Sequence, residues 1–240
     1  MDGQVVRARA GKRDDYRPLQ STLCDSSRPA AVLHGLLALY PFRRIYIADL
    51  DAILKRGHHG KVVEALQRSH PELEFWVDGG FSSAAAAQAS QAAGRGRPVL
   101  GSESLTALPE GGAWPAQGVL SLDFRGDDFL GSDTFLQYPE RWPAQVIVMT
   151  LARVGMEAGP DLARLVQLRQ LNPACRFYAA GGVRHAGDLS TLAGAGAAGV
   201  LLASALHDGR LSRTELAGLH TAHPTSAAGG AKANVPAPDR

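Results

Sequence analysis

The chain has 240 residues, 45% of them hydrophobic and 20% charged, and a formal net charge of +2. That length and apolar share fit one large α/β domain with a full core, and the near-neutral balance, with basic residues scattered, argues against a nucleic-acid partner. No apolar run reaches the ~18 residues of a membrane span, the N-terminus has no apolar signal core, and Cys24 and Cys175 are too few for a disulfide framework or a cysteine-based zinc site, so a reducing cytoplasm is the expected location.

In chain order, residues 4–9 read as a short hairpin strand with weak alternation. Seven continuous apolar runs of strand length follow at 44–48, 74–77, 98–100, 118–122, 145–149, 176–179 and 199–202. Runs of that kind suit parallel strands buried on both faces. Between them lie amphipathic or Ala-rich stretches, among them 61–69, 82–93, 160–171, 186–193 and 213–220, which predict helices. Repeated strand–helix alternation predicts a parallel α/β fold. Asp78-Gly79-Gly80-Phe81 is echoed by Ala180-Gly181-Gly182-Val183, and Leu100-Gly101-Ser102 by Leu202-Ala203-Ser204, both 102 residues later. Two halves with the same loop chemistry predict a TIM (β/α)8-type barrel built from half-barrel repeats, spanning residues 1–220 with its first strand truncated. Residues 221–240, rich in Ala, Gly and Pro, cannot bury enough surface to offset ordering entropy, and a disordered tail is expected there.

Gly181-Gly182 follows a predicted strand directly, with a helix starting near His185. Glycine admits positive φ and close approach of the backbone, and N–H groups at a helix start point toward an anion. Barrels commonly place a phosphate after the seventh and eighth strands. Gly181 and Gly182, with Ala203 and Ser204 as the other wall, are therefore the expected phosphate site; ordinary tight turns are the alternative. The earlier echo, Gly80 with Gly101 and Ser102, would form a second anion site, although Asp78 would repel a phosphate unless its carboxylate points away or binds a hydroxyl. Asp49, Asp51 and Asp123 end strands, where barrel active sites lie. Asp123 and Asp49 are candidates for a general acid and base; turn caps or pairs with Arg125 and Arg153 are the alternatives, and Asp51 is expected to be structural. His58 and His59 read as exposed loop histidines, so no metal is expected, and His185 is either a phosphate contact or a cap. The chain holds no P-loop, dinucleotide fingerprint or nucleophile elbow, and no cofactor is expected.

Six motifs stand in a familiar order: Asp2-Gly3-Gln4-Val5-Val6-Arg7, Ala48-Asp49-Leu50-Asp51, Ser121-Leu122-Asp123, Ala180-Gly181-Gly182-Val183-Arg184, the run from Gly199 to Leu206, and Asp208-Gly209. Together they resemble the histidine-biosynthesis barrels, chiefly the phosphoribosylformimino-aminoimidazole carboxamide ribotide isomerase, over the chain to about Leu219. The resemblance implies a cofactor-free Amadori rearrangement of an aminoaldose to an aminoketose, with a doubly phosphorylated small molecule as partner and Asp123 matching one of two catalytic carboxylates. The family's other carboxylate ends a first strand just before its Asp-Gly; here Met1 precedes Asp2-Gly3, and an in-frame strand ending in Asp is expected upstream in the gene. Thr150, expected to contact substrate, is followed by Leu151 where the family has Asp. Arg153-Val154-Gly155 replaces Arg-Asp-Gly, and Asp78 replaces a glycine. These departures resemble a divergent branch associated with archaea and methylotrophs that use a pterin-linked one-carbon pathway. The expected function is an isomerase-like enzyme on a phosphorylated sugar-type substrate. The alternatives are a barrel of tetrahydromethanopterin-type one-carbon metabolism with a different reaction, or a non-catalytic phosphate-ligand binder.

Overall fold

The structure, a computed structural model, describes residues 1–222. It opens with β1 (Val6–Arg7), paired antiparallel with β2 (Arg17–Pro18), as the hairpin reading expects. Helix α1 (Pro29–Leu39) begins with proline in its first turn, where a missing N–H costs nothing, and stops at Tyr40, which precedes Pro41. There follow β3 (Arg44–Ala48), α2 (Leu50–Ile53), α3 (Gly60–Ser69), β4 (Glu74–Asp78), α4 (Ala84–Ala92) and β5 (Arg97–Gly101). The chain continues through β6 (Val119–Arg125), β7 (Asp128–Phe129), α5 (Thr134–Gln137), β8 (Gln145–Thr150), α6 (Leu162–Leu171), β9 (Arg176–Ala180), α7 (Ala186–Gly194), β10 (Gly199–Leu201), α8 (Ser204–His207) and α9 (Arg213–Ala222). Helix α9 runs two residues into the segment expected as a tail; the rest of that segment lies outside the described residues.

The seven apolar runs become seven parallel strands in the order β10-β9-β8-β6-β5-β4-β3, with β7 an antiparallel spur on β6. This is a nearly closed TIM-type barrel wrapped by helices. Its two end strands, β3 and β10, have no further partner among the described residues, and both are more exposed than the strands between them. Alternation along each strand sorts side chains to two sides. Leu100, Leu120, Leu122, Val146, Val148 and Phe177 face the helices. Trp76, Val99, Val119, Ile147 and Tyr178, with Tyr46 and Met149, fill the barrel axis.

The two halves repeat in space as they do in sequence. Gly60 and Leu162, Glu74 and Arg176, Ala84 and Ala186, and Arg97 and Gly199 are the first residues of counterpart elements, each pair 102 apart. In the first half Ser83 caps α4 by accepting the Ala86 N–H, and in the second Asp161 caps α6 by accepting that of Arg164.

Candidate active site

Parity along the strands decides what reaches the lumen. Asp78 lies two residues after Trp76, Gly101 two after Val99, and Ser121 and Asp123 two and four after Val119; all share the inward side. Asp78 and Asp123 are 5% and 4% exposed. They face each other across Gly101: a Cβ built on that glycine would stand 3.0 Å from Asp123 Oδ2 and 3.2 Å from Asp78 Oδ2. The Ser121 hydroxyl donates to Asp123 Oδ1 at 2.7 Å, and the Glu103 N–H to Oδ2 at 3.3 Å. The Ser102 hydroxyl accepts the Asp123 N–H at 2.9 Å and donates to the Leu130 carbonyl at 2.7 Å. No arginine pairs with Asp123 among the described residues.

Burial out of water disfavours the ionised form of both carboxyls. It raises Asp78 to about 7, against the opposing hydrogen bond from Gly80. It raises Asp123 to about 8, with the Asp78 charge adding to the effect. The Tyr46 phenol beside them is pushed well up, first by burial and then by the charges of Asp78 and Asp123. Across the mouth, Arg13 pairs with Glu103. The arm that carries Arg13 is held at its other side, where the Ala10 N–H reaches the Val154 carbonyl at 2.8 Å.

Asp49 has the opposite parity and is bound up in its own loop. It caps α2, accepting the Ala52 N–H at 3.4 Å, and also takes the His59 N–H at 2.5 Å and His59 Nδ1 at 3.2 Å. Asp51 accepts the Asp2 N–H at 2.6 Å, a structural tie. The Gly3 N–H donates to His59 Nε2 at 2.8 Å, so the ring proton sits on Nδ1, facing Asp49. His58 is an exposed loop histidine as expected, its Nδ1 accepting the Gly60 N–H at 3.3 Å, whereas His59 is half-buried and fastens the first residues to the loop after β3. Asp49, Asp51 and His59 offer ligand atoms within 4.8 Å of one another and could hold a cation. In this structure those atoms are engaged by one another and by backbone N–H groups.

The loops after β9 and β10 lie side by side, because Ala180 is in register with Leu201. Gly181 and Gly182 have φ of +104° and +86°, and a Cβ on Gly182 would stand 2.0 Å from the Gly159 carbonyl oxygen. Packing against the loop after β8 alone demands glycine there. The N–H groups of Gly182, Val183 and Ser204 nevertheless have no acceptor among the described residues. Ala203 is exposed at the start of α8. Thr150 ends β8, its hydroxyl 3.4 Å from Asp161 Oδ2. His185 precedes α7 without a side-chain cap, 3.9 Å from Asp188 Oδ1.

The first-half loop differs. Gly80 donates its N–H to Asp78 Oδ1 at 3.0 Å, and the Ser102 N–H goes to the Ser121 carbonyl at 2.8 Å. The groups read from sequence as a second anion site are thus occupied in holding Asp78 and Asp123. The residue that sequence reasoning undervalued is Asp78; its two-residue spacing from Trp76 carries the signal that it points inward. A surface depression of about 410 Å³ lies at the other end of the barrel, lined by Glu74 and Arg97, which already pair at 2.7 Å.

The sequence pattern of one family, described as "Histidine biosynthesis protein", matches residues 1–212. Among individual proteins, an uncharacterised protein of Methanocaldococcus jannaschii is 28% identical over 90% of this chain and 93% of its own. The 1-(5-phosphoribosyl)-5-((5-phosphoribosylamino)methylideneamino)imidazole-4-carboxamide isomerase of Stenotrophomonas maltophilia is 27% identical, covering 89% and 93%. That of Chromohalobacter salexigens is 25% identical, covering 89% and 90%.

Proposed function

From its membership of the histidine biosynthesis protein family, we propose that the chain is a cytoplasmic isomerase acting on a phosphorylated sugar-type substrate, with Asp123 as an acid/base group. The class follows the relatives that are named as isomerases. The observation that carries the assignment to Asp123 is its position: a buried, proton-retaining carboxyl inside the barrel at the C-terminal end of β6, where barrel enzymes place their chemistry. The Gly182, Val183 and Ser204 N–H groups, without an acceptor among the described residues, suit a phosphate. Held there, the phosphate would orient the sugar carbons toward Asp123. The reaction is an aldose-to-ketose rearrangement of an aminoaldose, which needs proton transfers only and no cofactor.

The test is turnover of phosphorylated aminoaldoses, followed by solvent-isotope incorporation, for this chain and for Asp123→Asn. Loss of about 100-fold or more in kcat/KM with unchanged folding supports the assignment. Equal rates refute it. Complementation of a histidine auxotroph, with this chain and with an N-terminally extended one, separates the histidine-pathway substrate from others. A phosphate-ligand binder without chemistry is the second reading, favoured by the engagement of Asp49 in its own loop; phosphate-dependent stabilisation without turnover would establish it.

A further inference from the structure

We propose that Asp78 is the second acid/base group of this site, paired with Asp123 across the side-chain-free gap at Gly101. The proposal rests on the isomerase reading above and deepens it. Three observations carry it. The Oδ2 atoms of Asp78 and Asp123 converge on one point above Gly101, at 3.2 and 3.0 Å. Asp78 is 5% exposed, its Oδ1 is held by the Gly80 N–H, and its Oδ2 has no donor among the described residues. That oxygen is not engaged by the protein and stays open to a ligand group in the lumen. Finally, the same position in the second half is Ala180, so no structural requirement of the repeated loop calls for an acid there.

The chemistry needs one group that holds a proton and one that accepts one. Asp123 is the donor, in keeping with the acid/base role proposed above, and Asp78, whose Oδ2 has no donor among the described residues, is the acceptor. Asp123 gives its proton to the ring oxygen of the aminoaldose, and the carbon–oxygen bond at the first carbon breaks to leave an iminium. The Asp78 carboxylate takes the proton from the second carbon, whose C–H electron pair becomes the double bond of an enolamine. The hydroxyl on the second carbon then returns a proton to Asp123, while Asp78 delivers its proton to the first carbon. The aminoketose leaves and both carboxyls are restored. Glu103, Arg13, Tyr46 and Asp49 are the other charged or titratable groups whose fields reach the pair. Glu103 and Arg13 neutralise each other by pairing.

The experiment compares the full chain with Asp78→Asn, Asp78→Glu and Asp123→Asn, each checked for folding by circular dichroism and melting. Expected are a loss of about 100-fold or more in kcat/KM for Asp78→Asn, partial recovery in Asp78→Glu, and disappearance of one limb of the bell-shaped pH profile in Asp78→Asn. A carboxyl-carbon NMR titration should show the Asp123 midpoint falling in Asp78→Asn, because the neighbouring charge is gone. Asp78→Asn at wild-type rate beside an inactive Asp123→Asn overturns the role of Asp78 and leaves the isomerase reading standing. Absence of turnover in the unmodified chain overturns both. An Asp123 titration unmoved by Asp78→Asn overturns the pairing, whatever the kinetics show.

Discussion

Asp78 takes the N–H of Gly80 at 3.0 Å, whereas at the equivalent place 102 residues later Ala180 leaves the N–H of Gly182 without an acceptor among the described residues. One loop of the repeat thus carries its own anion and the other is open to an external one. Inorganic phosphate or a sugar phosphate should raise the melting temperature of the wild-type chain, by several degrees at saturation. Ala180→Asp, which copies the first half into the second, should abolish that rise in a thermal-shift assay. Retention of the full shift would place the phosphate elsewhere.

Stability should fall as pH rises from about 5 to about 8.5. Asp78 and Asp123 hold their protons in the folded chain up to about 7 and about 8, while the unfolded chain releases them near 3.8. The folded state therefore binds more protons across that window, and raising pH favours unfolding. The stabilisation is complete below the unfolded value and gone above the folded ones. Denaturant midpoints against pH should show the decline, and Asp78→Asn should flatten it while gaining stability at pH 8 relative to pH 5.

Glycine substitutions separate strain from collision. Gly94 has φ of +72° with open space where a Cβ would go, so Gly94→Ala should cost about 1–2 kcal/mol. Gly182→Ala adds a Cβ 2.0 Å from the Gly159 carbonyl oxygen and must displace the loop after β8. Its melting temperature should fall well below that of Gly94→Ala; equal melting temperatures would mean the loop yields freely.

Asp188 accepts the Arg184 N–H at 2.8 Å and Arg184 Nη2 at 2.8 Å, which with the Arg184 charge holds its pKa down at about 2. These bonds shape the turn between Gly182 and α7. Asp188→Asn should cost about 1–3 kcal/mol near neutral pH and weaken phosphate-dependent stabilisation as well. In the wild type this contribution, present above the unfolded carboxyl value, should be lost as pH drops from about 4 toward about 2.

Much of this was readable in the chain. The strand cores at 44–48, 74–77 and 176–179 survive nearly unchanged because buried parallel strands must be continuously apolar. The helices of the repeat follow the sequence offset because the same pattern folds twice. Helix α1 went unread: its apolar run from Pro29 lacks a polar face, and periodicity is then silent. The site divides along a similar line. The inward placement of Asp123 and the N–H groups near Gly182 that lack an acceptor among the described residues follow from local pattern. The capture of Asp49 by His59, of Asp51 by Asp2, and the approach of Asp78 to Asp123 are tertiary facts between residues 10 to 49 positions apart. No local periodicity encodes them. Charge alone suggested that Asp78 would spoil a phosphate loop; the pleat instead turns it into the lumen.

Beneath the two carboxylates the axis is stoppered. Trp76, 0% exposed, meets Tyr178 edge-on at 4.8 Å, and the guanidinium groups of Arg44 and Arg97 lie over the Trp76 ring at 4.4 and 5.3 Å, both tied to Glu74. The barrel axis is consequently closed at that end. Along the axis, Asp78 and Asp123 are reached through the doorway at the C-terminal ends of the strands, beside Arg13 and Glu103, so a product leaving that way has to clear before the next molecule can enter. A slow rearrangement of that doorway would surface as a ceiling on turnover while leaving the binding equilibrium untouched.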